Sequence, residues 1–338
     1  MDNAARHRSK RSSIARVLLA SLLTTATLSI HPWPRTATAA CKVTPEGRVL
    51  VMSNNVYEAA KRDANHSRDM KRFVARMKEM SPSSNAPDIL LVQEARKKGV
   101  RRIRDLMIEK FGCKYSVVAN ASRGAWRWIK KYWKLEGQDT AVIMNVDSMV
   151  LRSRGHISHP YSRSKAARGA SVKVKMSAWA EVREIDRPDE NKKPLTVVAA
   201  SAHFPRGSAF RNERKNRRLK RRFSVKLARV LESKQAEGGR HDEVIHVIAG
   251  DFNMTRYKGS PRRPMPPYKT LTSRPWNFVD GPILLARRGN PNPIDFLFST
   301  GKPLKARMDM SNNRRVGSKA FYSNHDLRWS LLSAYPQT

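Results

Sequence analysis

The chain reads as an α/β protein, and three observations predict it. At least five apolar runs rich in Val, Ile, Leu and aromatics stop abruptly at a polar residue, as buried strands do at a turn. Between them lie segments whose apolar residues recur at helical spacing. The polar strand ends are spread from residue 53 to residue 326, so one site would need both ends of the chain, which favours one domain over two.

Taken in order, Val49-Leu50-Val51-Met52 is a strand ending at Ser53-Asn54-Asn55. Met70, Phe73, Met77 and Met80 mark an amphipathic helix that Pro82 ends; these methionines read as core. Asp88 to Val92 is a strand running into Gln93-Glu94, and Val100 to Phe111 is a second helix. Thr140 to Val146 and Ser171 to Val182 have strand character. Leu195 to Ala200 runs into Ser201-Ala202-His203-Phe204-Pro205. From Arg206 to Arg229 an Arg/Lys-rich stretch carries Leu219, Phe223, Leu227 and Val230 at helical spacing, which predicts a helix with a cationic outer face. Val244 to Ala249 runs straight into Gly250-Asp251-Phe252-Asn253; Pro293 to Phe298 holds Asp295 inside an aromatic strand; Ser323-Asn324-His325-Asp326 immediately precedes the strand Leu327 to Leu332.

Singly, these strand ends are ordinary. An Asn or Asp after a strand is usually a turn residue, and a lone histidine is more often structural than catalytic. The ordered set is more specific: Asn, Gln-Glu, His-x-x, Gly-Asp-x-Asn, Ile-Asp, then Ser-x-His. With Gln93-Glu94, Gly250-Asp251-Phe252-Asn253 and Ser323-Asn324-His325 in this order, the chain resembles the endonuclease/exonuclease/phosphatase superfamily over roughly residues 48 to 333. That resemblance implies two stacked mixed β-sheets flanked by helices, a four-layer α/β sandwich. It also implies roles. Glu94 is similar to the principal Mg²⁺ ligand, with Asn55 beside it, and Mn²⁺ or Ca²⁺ remain alternatives. Asp251 and Asn253 resemble the pair handling the nucleophile and the phosphate oxygens. His325 resembles the imidazole facing the scissile phosphate, Asp295 the carboxylate orienting it, and His203 the second active-site histidine. Which histidine is base and which is acid or clamp stays open.

The chemistry suits these residue types. Hydrolysing a phosphodiester sends water against an anion, so a site must neutralise charge and activate the nucleophile; a hard cation on one or two carboxylates does both. An imidazole near neutrality accepts a proton, and a carboxylate on its other nitrogen fixes the tautomer. One departure stands out. The family places Asp before its final histidine, where it contributes to metal binding; here Asn324 occupies that place, which implies weaker metal affinity or lost turnover. Asp326 would point to the opposite face of an extended segment.

Residues 1–40 read as a secretory signal peptide. Arg6, Arg8, Lys10, Arg11 and Arg16 form a basic head, Val17 to Ile30 is uncharged and largely apolar, and Thr36-Ala37-Thr38-Ala39-Ala40 offers cleavage after Ala39 or Ala40. The apolar stretch is short for a membrane span. Residues 41–338 are then an exported catalytic domain. Its only cysteines, Cys41 and Cys113, make a disulfide the expected state of a secreted chain; two free thiols are the alternative.

Charge points to the partner. Lys and Arg number 67 against 28 acids, a formal +39, and removing the six basic and one acidic side chains of residues 1–39 leaves about +34. Such an excess repels itself unless a polyanion is nearby, and nucleic acid is the expected partner; no stable protein partner is implied. Arg206 and Arg211 follow His203 closely. Trp126, Trp128, Tyr132 and Trp133, interleaved with Arg127, Lys130, Lys131 and Lys134, could stack on bases between phosphate contacts, dip into a lipid interface, or pack in the core. The sequence therefore predicts a secreted, metal-dependent phosphodiesterase acting on nucleic acid, DNA first, with low sequence preference. Internal or terminal cutting, and RNA as a substrate, stay open. The alternatives are a sphingomyelinase-like phospholipid phosphodiesterase, and a cationic nucleic-acid binder that Asn324 has deprived of turnover.

Overall fold

The computed structural model describes residues 40–56, 66–121, 133–135, 140–163, 172–185, 194–205, 213–235, 243–258, 263–284, 294–309, 325 and 327–334. Residues 1–39, with Trp126, Trp128, Arg206, Arg211, Asn324 and Asp326, lie outside the described residues, and so do the expectations placed on them.

In chain order the elements are β1 (Val49–Asn55), α1 (His66–Met80), β2 (Ile89–Gln93), α2 (Lys97–Phe111), β3 (Tyr115–Asn120), β4 (Trp133–Leu135), β5 (Thr140–Asn145), β6 (Met149–Arg163) and β7 (Val172–Glu184). Then come β8 (Leu195–His203), α3 (Glu213–Gln235), β9 (Glu243–Asp251), β10 (Tyr257–Lys258), β11 (Arg263–Pro264), α4 (Tyr268–Thr272), β12 (Val279–Asp280), α5 (Gly281–Leu284), β13 (Asp295–Ser299), β14 (Lys302–Asp309) and β15 (Leu327–Ser333). The first sheet has the order β14-β15-β1-β2-β5-β3; the second has β12-β13-β9-β8-β7-β4, with β6 on β7. Both are mixed: β1 and β2 are parallel, as are β8 and β9, while most other pairs are antiparallel.

Alternation along the strands builds the layers. Leu50, Met52, Leu90 and Val92 face outward beneath Phe73, Met77, Ile103 and Met107 of α1 and α2. Their neighbours Val49, Val51, Ile89 and Leu91 face the other way, onto Val197, Ala199, Val247 and Ala249. On the far side, Val198, Ala200 and Ile248 are covered by Phe223, Leu227 and Leu231 of α3. The result is helix, sheet, sheet, helix, the four-layer sandwich expected. Full burial of each such aliphatic or aromatic side chain contributes about 1.5–3 kcal/mol, so these three layers hold the fold despite its charge.

Two local features close the frame. Helix α2 stops at Gly112, whose φ of 72° is left-handed backbone that costs glycine nothing. One residue on, Cys113 is joined to Cys41 by a disulfide with a sequence separation of 72, worth about 2–4 kcal/mol by restricting the unfolded chain. The structure departs from expectation in two places. The cationic helix is described from Glu213 and runs to Gln235, beyond the expected Arg229, because Leu231 extends its buried stripe. The 15-residue strand β6 had no sequence signal: it is polar, contains Gly155 and Pro160, and carries two register shifts along β7. No helix among the described residues is long and apolar enough to cross a membrane.

Candidate active site

The dry layer between the sheets turns polar at one end, and the turn is a matter of register. Val49, Val51, Ser53 and Asn55 lie on one face of β1, so the row that begins as core ends as an amide. On β8 the same row runs Val197, Ala199, Ser201, His203; on β9 it runs Ile245, Val247, Ala249, Asp251. His203 pairs with Asp251, and Asp251 pairs with Asp295 across the antiparallel β9–β13 ladder. Three chemically active side chains therefore stand abreast on adjacent strands.

One step below, Gln93 ties the sheets together. Its amide donates to Ser53 Oγ at 3.3 Å in the first sheet and to Ser201 Oγ at 2.9 Å in the second, while Ser201 Oγ donates to the Val92 carbonyl at 2.8 Å. All three side chains are buried, so this bridge fixes the spacing of the strands just beneath the site.

Above it, Asn55 joins three partners. Its Nδ2 lies 3.3 Å from Glu94 Oε1, 3.1 Å from Asp251 Oδ2 and 3.3 Å from His325 Nε2. His203 Nε2 is 3.3 Å from Glu94 Oε1 and 3.7 Å from Asp251 Oδ2. His325 Nδ1 lies 3.1 Å from both oxygens of Asp295, and its Nε2 faces Asp251 Oδ2 at 3.9 Å. Two acid–imidazole groups, Glu94–His203–Asp251 and Asp251–Asp295–His325, thus share Asp251. Residues 270 apart in sequence, Asn55 and His325, meet here.

The backbone is shaped to allow this. Glu94 leaves β2 at φ 60° and Asn253 leaves β9 at φ 49°, left-handed values that asparagine tolerates and that glutamate adopts at about 1–3 kcal/mol. Gly250 has φ 143°, and a Cβ there would stand 2.0 Å from the Ala202 carbonyl oxygen. Only glycine lets β9 pass so close to β8. The turn after it is self-locking: Asn253 donates from its main chain to Asp251 Oδ1 at 2.7 Å and from its side chain to the Phe204 carbonyl at 2.8 Å and to Asp251 Oδ2 at 3.0 Å.

Electrostatics follow from burial of so many acids. Desolvation and the Asp295 carboxylate push Asp251 up to about 7, against the pull of His325 and the Asn253 N–H. Burial draws His325 down, but the charge and hydrogen bond of Asp295, with Asp251 and Glu94, outweigh it and hold the imidazole at about 9. Buried carboxylates crowded in this way are relieved by a bound cation. The cluster offers carboxylate oxygens with imidazole beside them, which fits a hard divalent ion. Glu94 and Asp251 are the carboxylates that would hold it, and Asn55, which turns its Nδ2 toward them, would join only with its amide rotated to present Oδ1.

All seven described residues expected to act together, Asn55, Glu94, His203, Asp251, Asn253, Asp295 and His325, converge. Asn55 is the asparagine in the cluster, whereas Asn54 donates to the His325 carbonyl at 3.2 Å. Sequence reasoning missed Lys220. It sits on the buried stripe of α3, and its ammonium donates to the Phe252 carbonyl at 3.0 Å and to that of Asn253. Burial lowers it to about 7, with Asp251 opposing. The available signal was helical phase: a lysine between Asn216, Phe223 and Leu227 on an apolar face.

A four-layer α/β sandwich with acids and imidazoles gathered at strand ends is the class defined by this fold and site. Solved structures carry the same architecture. An endonuclease/exonuclease/phosphatase from Bacteroides vulgatus superposes with a TM-score of 0.56 at 16% identity, covering 85% of this chain and 99% of that one. An endonuclease/exonuclease/phosphatase family protein from Bacteroides thetaiotaomicron gives 0.50 at 15%, covering 87% and 100%, and a mannosyl-6-phosphatase from the same organism gives 0.50 at 14%, covering 84% and 99%. No family model and no curated protein sequence matches the chain. The chain has the endonuclease/exonuclease/phosphatase fold.

Proposed function

We propose that this protein is a divalent-metal-dependent phosphodiesterase that hydrolyses nucleic acid, exported after removal of its leader. The observation that carries the hydrolytic reading is the buried pair His325–Asp295 set beside Asp251, Asn55 and Glu94, within hydrogen-bonding reach of one another. With the Nδ1 proton committed to Asp295, the His325 Nε2 is the nitrogen turned toward Asn55 and Asp251, where it can hold or pass a proton at the reacting phosphate. Asp251 is placed to accept the proton of attacking water, and Asn253 fixes its orientation. His203, between Glu94 and Asp251, is the second group able to meet a phosphate oxygen. A bound Mg²⁺ or similar ion would neutralise phosphate charge and make water more acidic. The mature charge of about +34 supports a polyanionic substrate over a choline lipid.

The test is cleavage of circular and linear DNA and of RNA by residues 41–338, with Mg²⁺, Mn²⁺ or Ca²⁺, and then with excess chelator. Metal-dependent products that His325→Ala does not form are the expected result. Equal cleavage under chelation removes the metal from the reading, and hydrolysis of sphingomyelin vesicles without DNA cleavage replaces it with the lipid one. Salt-sensitive binding without products, repaired by Asn324→Asp, identifies a binder.

A further inference from the structure

We infer that a groove between α3 and the segment Pro266–Trp276 is a docking track for the phosphodiester backbone of a nucleic-acid strand, separate from the acid–imidazole cluster. This rests on the nucleic-acid reading above for the chemistry of its occupant. The groove encloses about 600 Å³, with Arg221 and Arg229 of α3 on one wall and Lys269 and Arg274 on the other. It adjoins a second hollow of about 500 Å³ on the same helix, to which Arg218 and Arg222 contribute.

Three features distinguish it from a merely solvated charged face. First, it is concave, and its cations come from two separate pieces of chain, so a ribbon-shaped polyanion can be held from both sides. Among the described residues no carboxylate lines it; the nearby Glu232, its carboxyl raised by burial, feels the charge of Arg229. Secondly, its floor is partly apolar, with Val225, Pro275 and the half-buried Trp276, a surface on which sugar and base can lie while guanidinium groups take phosphates. Thirdly, it is anchored to the cluster through consecutive residues. Lys220 points inward to the Phe252 and Asn253 carbonyls, and Arg221 points outward into the groove. The helix that carries the groove therefore also touches the turn that follows Asp251. A flat membrane surface would not use a concave track of this kind.

Each cation that neutralises a phosphate contributes about 0.7 to the salt slope of single-strand binding. The experiment measures fluorescence anisotropy of a labelled oligothymidylate of about 20 nucleotides, across about 0.05–0.3 M KCl, with chelator present so that no turnover is needed. The combined variant Arg221→Gln, Arg229→Gln, Arg274→Gln is compared with Lys71→Gln, Arg102→Gln, Lys110→Gln, which removes equal charge from α1 and α2 on the opposite outer layer. The groove variant is expected to lose about two from the slope and at least about tenfold in affinity, and Arg274→Gln alone about a third of that loss. The control variant should lose much less. Equal losses in the two triple variants, no binding by the unmodified protein, or binding transferred to phosphatidylserine vesicles overturns the inference. Because binding is read without hydrolysis, failure of the catalytic reading leaves this result standing.

Discussion

Asp295 holds His325 through both carboxylate oxygens, each 3.1 Å from Nδ1, while the same Asp295 stands in register with Asp251 on the neighbouring strand. One carboxylate thus orients the imidazole and, by like charge, raises the proton affinity of the acid beside it. Its removal should be felt at both.

Asp295→Asn is expected to leave the fold intact and lower kcat on nucleic acid by about 10²- to 10⁴-fold, the range for a positioned acid–base group. KM should change little if Asp295 acts through His325, whose Nδ1 it holds. Steady-state kinetics check this; a loss below about tenfold would remove Asp295 from the proton-handling role.

Glu94 Oε1 lies 3.3 Å from both Asn55 Nδ2 and His203 Nε2. Glu94→Gln keeps the shape and removes the charge, so the metal concentration giving half-maximal activity should rise at least about tenfold. A metal titration of both proteins reads the shift directly, and an unchanged midpoint would place the cation elsewhere.

Gly250→Ala tests the close approach of β9 to β8. The added Cβ would meet backbone, the Ala202 carbonyl oxygen at 2.0 Å, and no rotamer relieves that. A loss of about 3 kcal/mol or more is expected, measured by urea unfolding of the oxidised protein. A variant as stable as the parent would mean that the strands can separate freely here.

Acid stability should depend on His159, which is buried against Phe204 and Phe223 with Nε2 3.1 Å from Ser177 Oγ. Burial, then the charge of Lys226, lowers its pKa to about 3, while the unfolded chain binds this proton near 6.5. Between those values the unfolded state holds the extra proton, so stability rises with pH there and falls on acidification. His159→Gln should therefore shrink the stability difference between pH 6.5 and 4.5 by about 2 kcal/mol. Denaturant unfolding at the two pH values measures it, and an undiminished difference would assign the acid sensitivity to other groups.

The sequence made much of this legible because strands and helices declare themselves locally. Continuous apolar runs that stop at polar residues located β1, β2, β8, β9, β13 and β15, and methionine and phenylalanine at helical spacing located α1. Gly250-Asp251-Phe252-Asn253 showed a close approach and two polar groups in four residues. Strand β6 escaped because its long, charged edge carries no apolar alternation; what makes it a strand is pairing with β7, which its own residues do not encode.

By itself, then, the chain determined which residues are chemically equipped and on which face of their strand each falls, since alternation is a local property of the backbone. Only the tertiary structure decided that His203, Asp251 and Asp295 stand abreast, that Gln93 clamps two sheets beneath them, and that Lys220 turns inward while Arg221 turns out. Pairing partner and register depend on contacts between segments far apart in sequence. A one-residue slip of β13 against β9 would leave every local pattern in place and take Asp295 out of the row.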